Sequence, residues 1–274
     1  MSRPFDAKRF VPLVQGLTLG RPLVATLETG STNDDALAAA RDGAPHGALF
    51  VTEEQRSGRG RRGSRWLATR SEGLLFSLVL RPELTVDRAP ALALLAGLAV
   101  RAVVAELLEQ SGASARALVK WPNDVVVARP ELEKLAGILV ESQVRSGKLA
   151  AAVVGVGLNV GRLELPSELE LRATSLAVLG ARVEREELLA AILRAFEARL
   201  TILEDPETPL ETFAAELSAF DALKGRKLRV ENLCGSGAGI DGEGCLKLVD
   251  EADVTHRIRS GHVEVLEVSE RHTG

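Results

Sequence analysis

The sequence predicts an α/β (α+β) fold, a mixed sheet with helices followed by a small C-terminal β-barrel, on three observations. Short β-rich runs and two long apolar helical patterns share the first 219 residues. Among the runs, "ALVKW", "DVVVA", "LAGILVES" and "LAAAVVGVGLNV" follow one another through turns alone, which favours antiparallel or mixed pairing over regular βαβ units. From about Phe220 the texture changes to short strands with glycine turns, roughly fifty residues in the style of a small barrel. A chain of 274 residues, 46% hydrophobic and 26% charged, suits one large domain plus a small one, so the expected division is 1–219 and 220–274.

Taken in order, "PLVATLE" (22 to 28) and "ALFVTEEQ" (48 to 55) read as strands. Between them "STNDDALAAARDG" reads as a helix opened by a capping residue near Ser31 and stopped by Gly43. "GLLFSLVL" (73 to 80) is a further strand, followed by a helix from about Ala89 to Gln110. That apolar stretch is interrupted by Arg101 and Glu106, so it reads as a buried helix and not as a membrane span. After the four β-rich runs a helix is expected from about Glu184 to Leu203, with Leu188, Leu189, Ile192, Phe196, Leu200 and Leu203 on its inner face. "EDPETP" and one short helix lead to "KLRVEN", "GAGIDGEGCLKLVD" and "HVEVLEV".

Composition narrows the function. The opening "MSRPFDAKRFVPLVQG" has no secretory pattern. Cys234 and Cys245 alone make neither a zinc site nor a disulfide framework and fit a reducing cytoplasm. No tyrosine and 3% aromatics weaken any stacking platform for single-stranded nucleic acid.

Against a net charge of -4, "QRSGRGRRGSRW" (55 to 66) gathers five arginines and three glycines without an acid. Guanidinium groups stay ionised and resist burial, so this is a surface loop that either binds an anion or is simply solvated. Its "GRGRRG" satisfies G-x-G-x-x-G but lacks the surrounding strand-turn-helix unit of a dinucleotide site. In "VKWPNDVVV" (119 to 127) Pro122, Asn123 and Asp124 form a turn, with Lys120 and Trp121 just before it. In "EKLAGILVES" Lys134 stands at the mouth of a strand where Gly137 lets something approach the sheet. Lys134 is either a solvated lysine or, with Arg61, a two-cation clamp on a phosphoryl group. "VVGVGLNV" (153 to 160) ends in Asn159, on a glycine-adjusted strand.

Together and in this order, "ETGSTND", "EEQRSGRGRRGSRW", "VKWPNDVVV", "KLAGILVES" and "GVGLNV" closely resemble the biotin protein ligases, or biotin–acetyl-CoA-carboxylase ligases, over nearly the whole chain. The resemblance implies a catalytic domain related to class II aminoacyl-tRNA synthetases and an arginine-glycine loop that folds over biotin and its adenylate. It implies ATP and biotin as substrates, with Mg2+, and attachment of biotin to a lysine of a biotin carboxyl carrier protein through biotinyl-5′-AMP. Carried over by motif, Ser31, Thr32, Asn33 and Gln55 would hold the biotin ureido ring, with Gly137 in the same pocket. Arg59, Gly60 and Arg61 would lie along the biotin carboxylate and phosphate, and Lys134 would reach the same oxygens. Arg61 and Lys134 would be catalytic. Trp66, Lys120, Asn123 and Asn159 would line the nucleotide side. Asp124 would help a metal or Lys120, or be a turn residue only, and the metal ligands stay unassigned.

With some twenty residues before Pro22, a winged helix-turn-helix domain and DNA binding are not expected. The "ARPELE" stretch makes a longer connection to Lys134 than the family pattern, read as a lengthened hairpin that bears on the register of Lys134; family members are monomers or homodimers, and no membrane partner is expected. Lipoate ligases share the fold and the acyl-adenylate chemistry, and the order of "GRGRRG", "KWPND" and "KLAGIL" favours biotin over them. A nucleic-acid-binding module built on residues 56 to 70 is the remaining alternative, against which stand the acidic balance and the lack of a recognition helix.

Overall fold

Seven strands in the order β1-β2-β3-β7-β6-β5-β4 form the main sheet of the computed structural model, which describes residues 3–129, 131–162, 164, 172–204 and 210–266. The strands are β1 (Leu23–Thr26), β2 (Leu49–Thr52), β3 (Gly73–Leu80), β4 (Arg116–Lys120), β5 (Asp124–Arg129), β6 (Glu131–Arg145) and β7 (Lys148–Asn159). Only β1 and β2 are parallel; the pairings from β2 to β4 are antiparallel. The mixed sheet expected from consecutive β-rich runs is therefore present. β3 is buried at every position, because both of its faces are covered, and a continuous apolar run is what that requires.

The helices are α1 (Ala7–Leu13), α2 (Thr32–Arg41), α3 (Ala91–Gln110), α4 (Arg185–Glu204) and the short α5 (Ala214–Ala219). Side chains from α1, α3 and α4 join Phe76, Leu78, Ile138, Val154, Val156 and Leu158 in one large apolar cluster on one face of the sheet. All six inner-face residues expected on α4 are in it. α3 is long and apolar enough to cross a membrane, yet most of it is buried in this core. The opposite face carries small clusters: Ala36 and Ala40 of α2 meet Val79, Ala151 and Val153, and Leu118 and Val126 meet Ala222. Alternation along β7 thus sends Val154 and Val156 inward and leaves Gly155 and Gly157 on the second face, Gly155 against Asn33 at the start of α2 and Gly157 against Trp66. Between the start of α2 and the loop that carries Trp66, a ligand has room on this face.

Two local expectations change. Ser31 occupies the N-cap position of α2, but its side chain makes no capping bond; the Thr32 N–H donates to Gln55 Oε1 instead, at 2.9 Å. "ARPELE" lengthens a hairpin, as expected: β5 runs to Arg129 and β6 begins at Glu131. Lys134 accordingly sits inside β6 and not at a strand mouth, opposite Val126 just past a bulge in the ladder. Pro130, residues 205–209 of "EDPETP" and the last residues of "HVEVLEV" lie outside the described residues.

The C-terminal strands β8 (Lys227–Val230), β9 (Leu233–Ile240), β10 (Leu246–Val249), β11 (Thr255–Ile258) and β12 (Val263–Val265) form an antiparallel sheet in the order β11-β10-β9-β8-β12. It is tied to the main sheet where Val119 and Asp221 bridge in parallel, and where the Trp121 indole Nε1 donates to the Gly244 carbonyl at 2.9 Å. Its apolar residues are contiguous with the main core.

Candidate active site

The open face of the sheet is the floor of a cavity of about 400 Å³. Three glycines make that floor, with Gly137 paired to Gly157 across β6 and β7, and Gly155 paired to Leu139. Each is a glycine for a steric reason. A Cβ on Gly155 would collide with the Asn33 amide, and one on Gly157 with the Trp66 indole; one on Gly137 would come within 2.9 Å of Trp66 Cζ3.

At one end the α2 N-terminus supplies a polar corner. Ser31, Thr32 and Asn33 are only 2%, 4% and 4% exposed. Gln55 Oε1 accepts from both the Thr32 N–H and the Thr32 hydroxyl, and its Nε2 makes no hydrogen bond among the described residues. The Ser77 hydroxyl donates to Asn33 Oδ1 at 2.6 Å and lies 2.8 Å from Thr32 Oγ1. Asn33 Nδ2 donates to Glu141 at 2.8 Å, so both ends of this amide are already engaged. Buried polar groups need such partners, and the bonds fix the corner before a ligand arrives.

Residues 55–66 form the roof. The loop closes on itself through Gly60 N–H to Ser64 O at 2.7 Å and Trp66 N–H to Gly58 O at 3.0 Å, around a 3₁₀ turn at Arg61–Gly63. Its arginines differ sharply in how they are partnered. Arg56 pairs with Glu28, Arg59 with Glu141 and Asp34, and Arg62 with Glu231. Arg61 has no carboxylate partner among the described residues; its one bond is a 3.4 Å contact to Asn123 Oδ1. Burial, with Arg62 nearby, lowers its pKa against the opposing pull of Asp124. An ionised, half-buried guanidinium without a counter-ion is a ready anion site.

Two lysines complete the far end. Lys134 Nζ lies 2.8 Å from Asp124 Oδ1, an ion-pair distance without the angles of a good hydrogen bond, and 5.5 Å from the Trp66 ring centre. Its backbone is clamped as well, donating to Arg172 O and accepting from Thr174 N. Lys120 faces Asp124 across the β4–β5 turn but makes no hydrogen bond or ion pair among the described residues. Burial pushes its pKa down, opposed by Asp124 and reinforced by Lys134, Arg172 and Arg226. Asn123 braces this end, donating from Nδ2 to Ile138 O at 2.7 Å.

The structure brings Ser31, Thr32, Asn33, Gln55, Arg59, Gly60, Arg61, Trp66, Lys120, Asn123, Lys134 and Gly137 around one cavity. Asn159 is not among them. It is 5% exposed and its Nδ2 is spent on the Thr174 carbonyl at 3.0 Å, which removes it from the cavity in this structure. Arg59 lines the cavity with its charge answered by Glu141 and Asp34. Sequence reasoning missed Ser77, Glu141 and the roles of Gly155 and Gly157. Ser77 was visible as the single polar residue of "GLLFSLVL", and the two glycines as a period-2 pair; Glu141 gave no signal. Gly261, His262 and Val263 add a wall from the C-terminal sheet. Among the described residues no group of three or more His, Cys, Asp or Glu is placed to hold a metal ion.

Residues 30–159 match the model of the biotin/lipoate A/B protein ligase family. The chain is 36% identical over 270 residues to the biotin–[acetyl-CoA-carboxylase] ligase of Mycobacterium tuberculosis, covering 92% of this chain and 96% of that one. It is 30% identical over 259 residues to the bifunctional ligase/repressor BirA of Bacillus subtilis, covering 90% and 75%. Among solved structures it resembles the biotin protein ligase from Aquifex aeolicus in complex with biotin and ATP, with TM-score 0.71, 25% identity and coverage of 90% and 99%.

Proposed function

The chain belongs to the biotin/lipoate A/B protein ligase family, and on that premise we propose that this cavity joins biotin to ATP and hands the biotinyl group to a lysine of a biotin carboxyl carrier protein. The enzyme is a biotin ligase working through biotinyl-5′-AMP. The observation that carries the residue assignment is the polarity of the cavity: a preformed neutral corner at α2, a glycine floor, and, at the other end, cations without a carboxylate partner among the described residues, Arg61 and Lys120 among them.

A ureido ring needs both donors and acceptors. The Ser31 and Thr32 hydroxyls and the free Gln55 Nε2 supply them, while Asn33, with its amide spent on Ser77 and Glu141, supports the corner. The apolar body of biotin passes the corner that Gly155 shapes by leaving room for the Asn33 amide, and its carboxylate extends towards Arg61 and Lys134. There the carboxylate attacks the α-phosphate of ATP and pyrophosphate leaves. No proton has to move in that step, so what accelerates it is fixed positive charge around the pentacovalent centre. Lys134, held by Asp124 and by its clamped backbone, is preorganised for this; Arg61 sits on the roof and acts as the roof closes. Trp66, Lys120 and Asn123 belong to the nucleotide end. Magnesium belongs to the same proposal: with no cluster of acidic ligands among the described residues, the donors present fit an ion held mainly by the nucleotide's own phosphates. When bound, it would neutralise charge on the departing pyrophosphate.

In the second step a lysine amine attacks the mixed anhydride and AMP leaves. At neutral pH only about one such amine in a thousand is unprotonated, so orientation beside the anhydride supplies much of the rate. Residues 1–219 carry this chemistry in our reading, and residues 220–274 wall the cavity and touch the carrier. The carboxylates answering most of the roof's arginines support an anion-handling lid over a nucleic-acid surface. Mass spectrometry of a biotin carrier domain incubated with the protein, biotin, ATP and magnesium tests the proposal: one biotinyl group on one lysine is expected. An unmodified carrier, with lipoate attached to a lipoyl domain instead, would overturn it.

A further inference from the structure

One carboxylate joins the α2 corner to the roof. Glu141 lies on β6, two residues beyond Leu139 and on the same face of the sheet as Gly137. Its Oε2 accepts from Asn33 Nδ2 at 2.8 Å and pairs with Arg59 Nη2, while the same guanidinium nitrogen lies 3.0 Å from Asp34 on α2. Ser77 holds the other end of the Asn33 amide, so oxygen towards Ser77 and nitrogen towards Glu141 is the one orientation these partners allow.

We propose that Glu141 is a positioning residue that latches the roof: through Arg59 it draws residues 55–66 onto the sheet and sets how fast bound biotinyl adenylate escapes, without touching the substrate. The inference rests on assigning the cavity to that adenylate. The roof's backbone bonds shape the loop but do not attach it to the floor strands. Arg56 and Arg62 reach Glu28 and Glu231, which lie outside the floor strands. Arg61 makes only its long contact to Asn123. Among the described residues Arg59 is thus the charged link between the roof and the strand that carries Gly137. Because Glu141 also fixes Asn33, whatever settles in the corner is coupled to the hold on the roof. It also divides the work between two arginines of one loop: Arg59 fastens, which leaves Arg61 for the anion.

Four variants test this: Glu141→Gln, Arg59→Ala, the two combined, and the charge exchange Arg59→Glu with Glu141→Arg. Glutamine keeps an acceptor for Asn33 and removes only the charge facing Arg59; thermal unfolding confirms that each variant folds. In single turnover, Glu141→Gln should form adenylate within about twofold of wild type and release it roughly two- to fivefold faster, the range expected for loss of a partly exposed ion pair. Trypsin should cut the empty chain within residues 56–65 faster by a similar factor. The double variant should release adenylate no faster than Arg59→Ala alone, as residues acting through one contact do, and the charge exchange should recover retention. Wild-type release and wild-type cutting in Glu141→Gln, or additive effects in the double variant, would overturn the latch. If the wild-type chain forms no adenylate, the assignment of the cavity fails, and the tryptic comparison of the empty chains still decides whether Glu141 holds the roof.

Discussion

Lys134 Nζ and Asp124 Oδ1 stand 2.8 Å apart, so one of the cavity's two lysines is held in place by a carboxylate before any substrate arrives. Replacing it removes a fixed cation and leaves Asp124 facing the phosphate. Lys134→Ala should therefore lower adenylate formation by about 10² to 10³, the loss typical of one preorganised donor. Arg61→Ala, on the roof, should still form adenylate but lose it to solvent, because a closed roof keeps water from a reactive anhydride. Single-turnover reactions with rapid filtration separate the two outcomes. Equal leakage in both would place Lys134 in the lid function.

Lys120 is the uncompensated counterpart. Burial lowers its pKa in the folded chain below the ordinary lysine value it has when unfolded. Between the two values the unfolded chain binds more protons, so this group's contribution to stability rises with pH across that window and is fully unfavourable below it. Lys120→Met should raise stability at pH 7 by about 0.5–2 kcal/mol, with the gain vanishing as pH climbs towards the unfolded value, while adenylate formation falls. Urea unfolding at several pH values gives the first quantity and single-turnover kinetics the second. A destabilised Lys120→Met protein would mean that the ammonium has a partner in solution.

Gly155 leaves no room for a methyl group beside Asn33. Gly155→Ala should shift the Asn33 amide off Ser77 and Glu141 and weaken biotin binding at least tenfold, with an overpacking cost of about 1–3 kcal/mol. Calorimetric titration of biotin, alongside thermal unfolding, reads both. Unchanged affinity would remove Gly155 from the floor.

Asp221 bridges the two sheets with one carboxylate oxygen accepting from the Leu223 N–H at 2.8 Å and the other buried without a partner among the described residues. Burial raises its pKa, against that hydrogen bond and Lys224. The folded chain keeps this proton longer than the unfolded one, so its contribution is complete below the unfolded pKa and is lost as pH rises through the folded value. Asp221→Asn should match wild type in acid and become more stable at pH 7 by about 1–3 kcal/mol. A difference that does not change with pH would show that burial leaves this carboxyl's pKa where it is in the unfolded chain.

Much of this was legible because local signals decided it. "GLLFSLVL" opens on a glycine and runs into "RPEL", and strand β3 follows it residue for residue. The helical patterns at Thr32, Ala91 and Arg185 begin within two residues of where their caps and periodicity put them. What stayed hidden depends on long-range register. Ser77 meets Asn33 only because α2 crosses β3, and Gly155 becomes floor only once β7 is paired between β3 and β6. The "ARPELE" insertion lengthens a hairpin as its sequence suggested, and what stayed hidden was that Lys134 falls inside β6 opposite Val126. Asn159 shows the same limit: the residue type suited a ligand, and the neighbouring Thr174 carbonyl took its amide.

The most direct test of the central claim is exchange of labelled pyrophosphate into ATP, because it reads the reversible first step with no carrier present. The account predicts exchange that depends on biotin, is absent with lipoate, and is lost in Lys134→Ala. Exchange supported by lipoate and not by biotin, or undiminished exchange in Lys134→Ala, would contradict it.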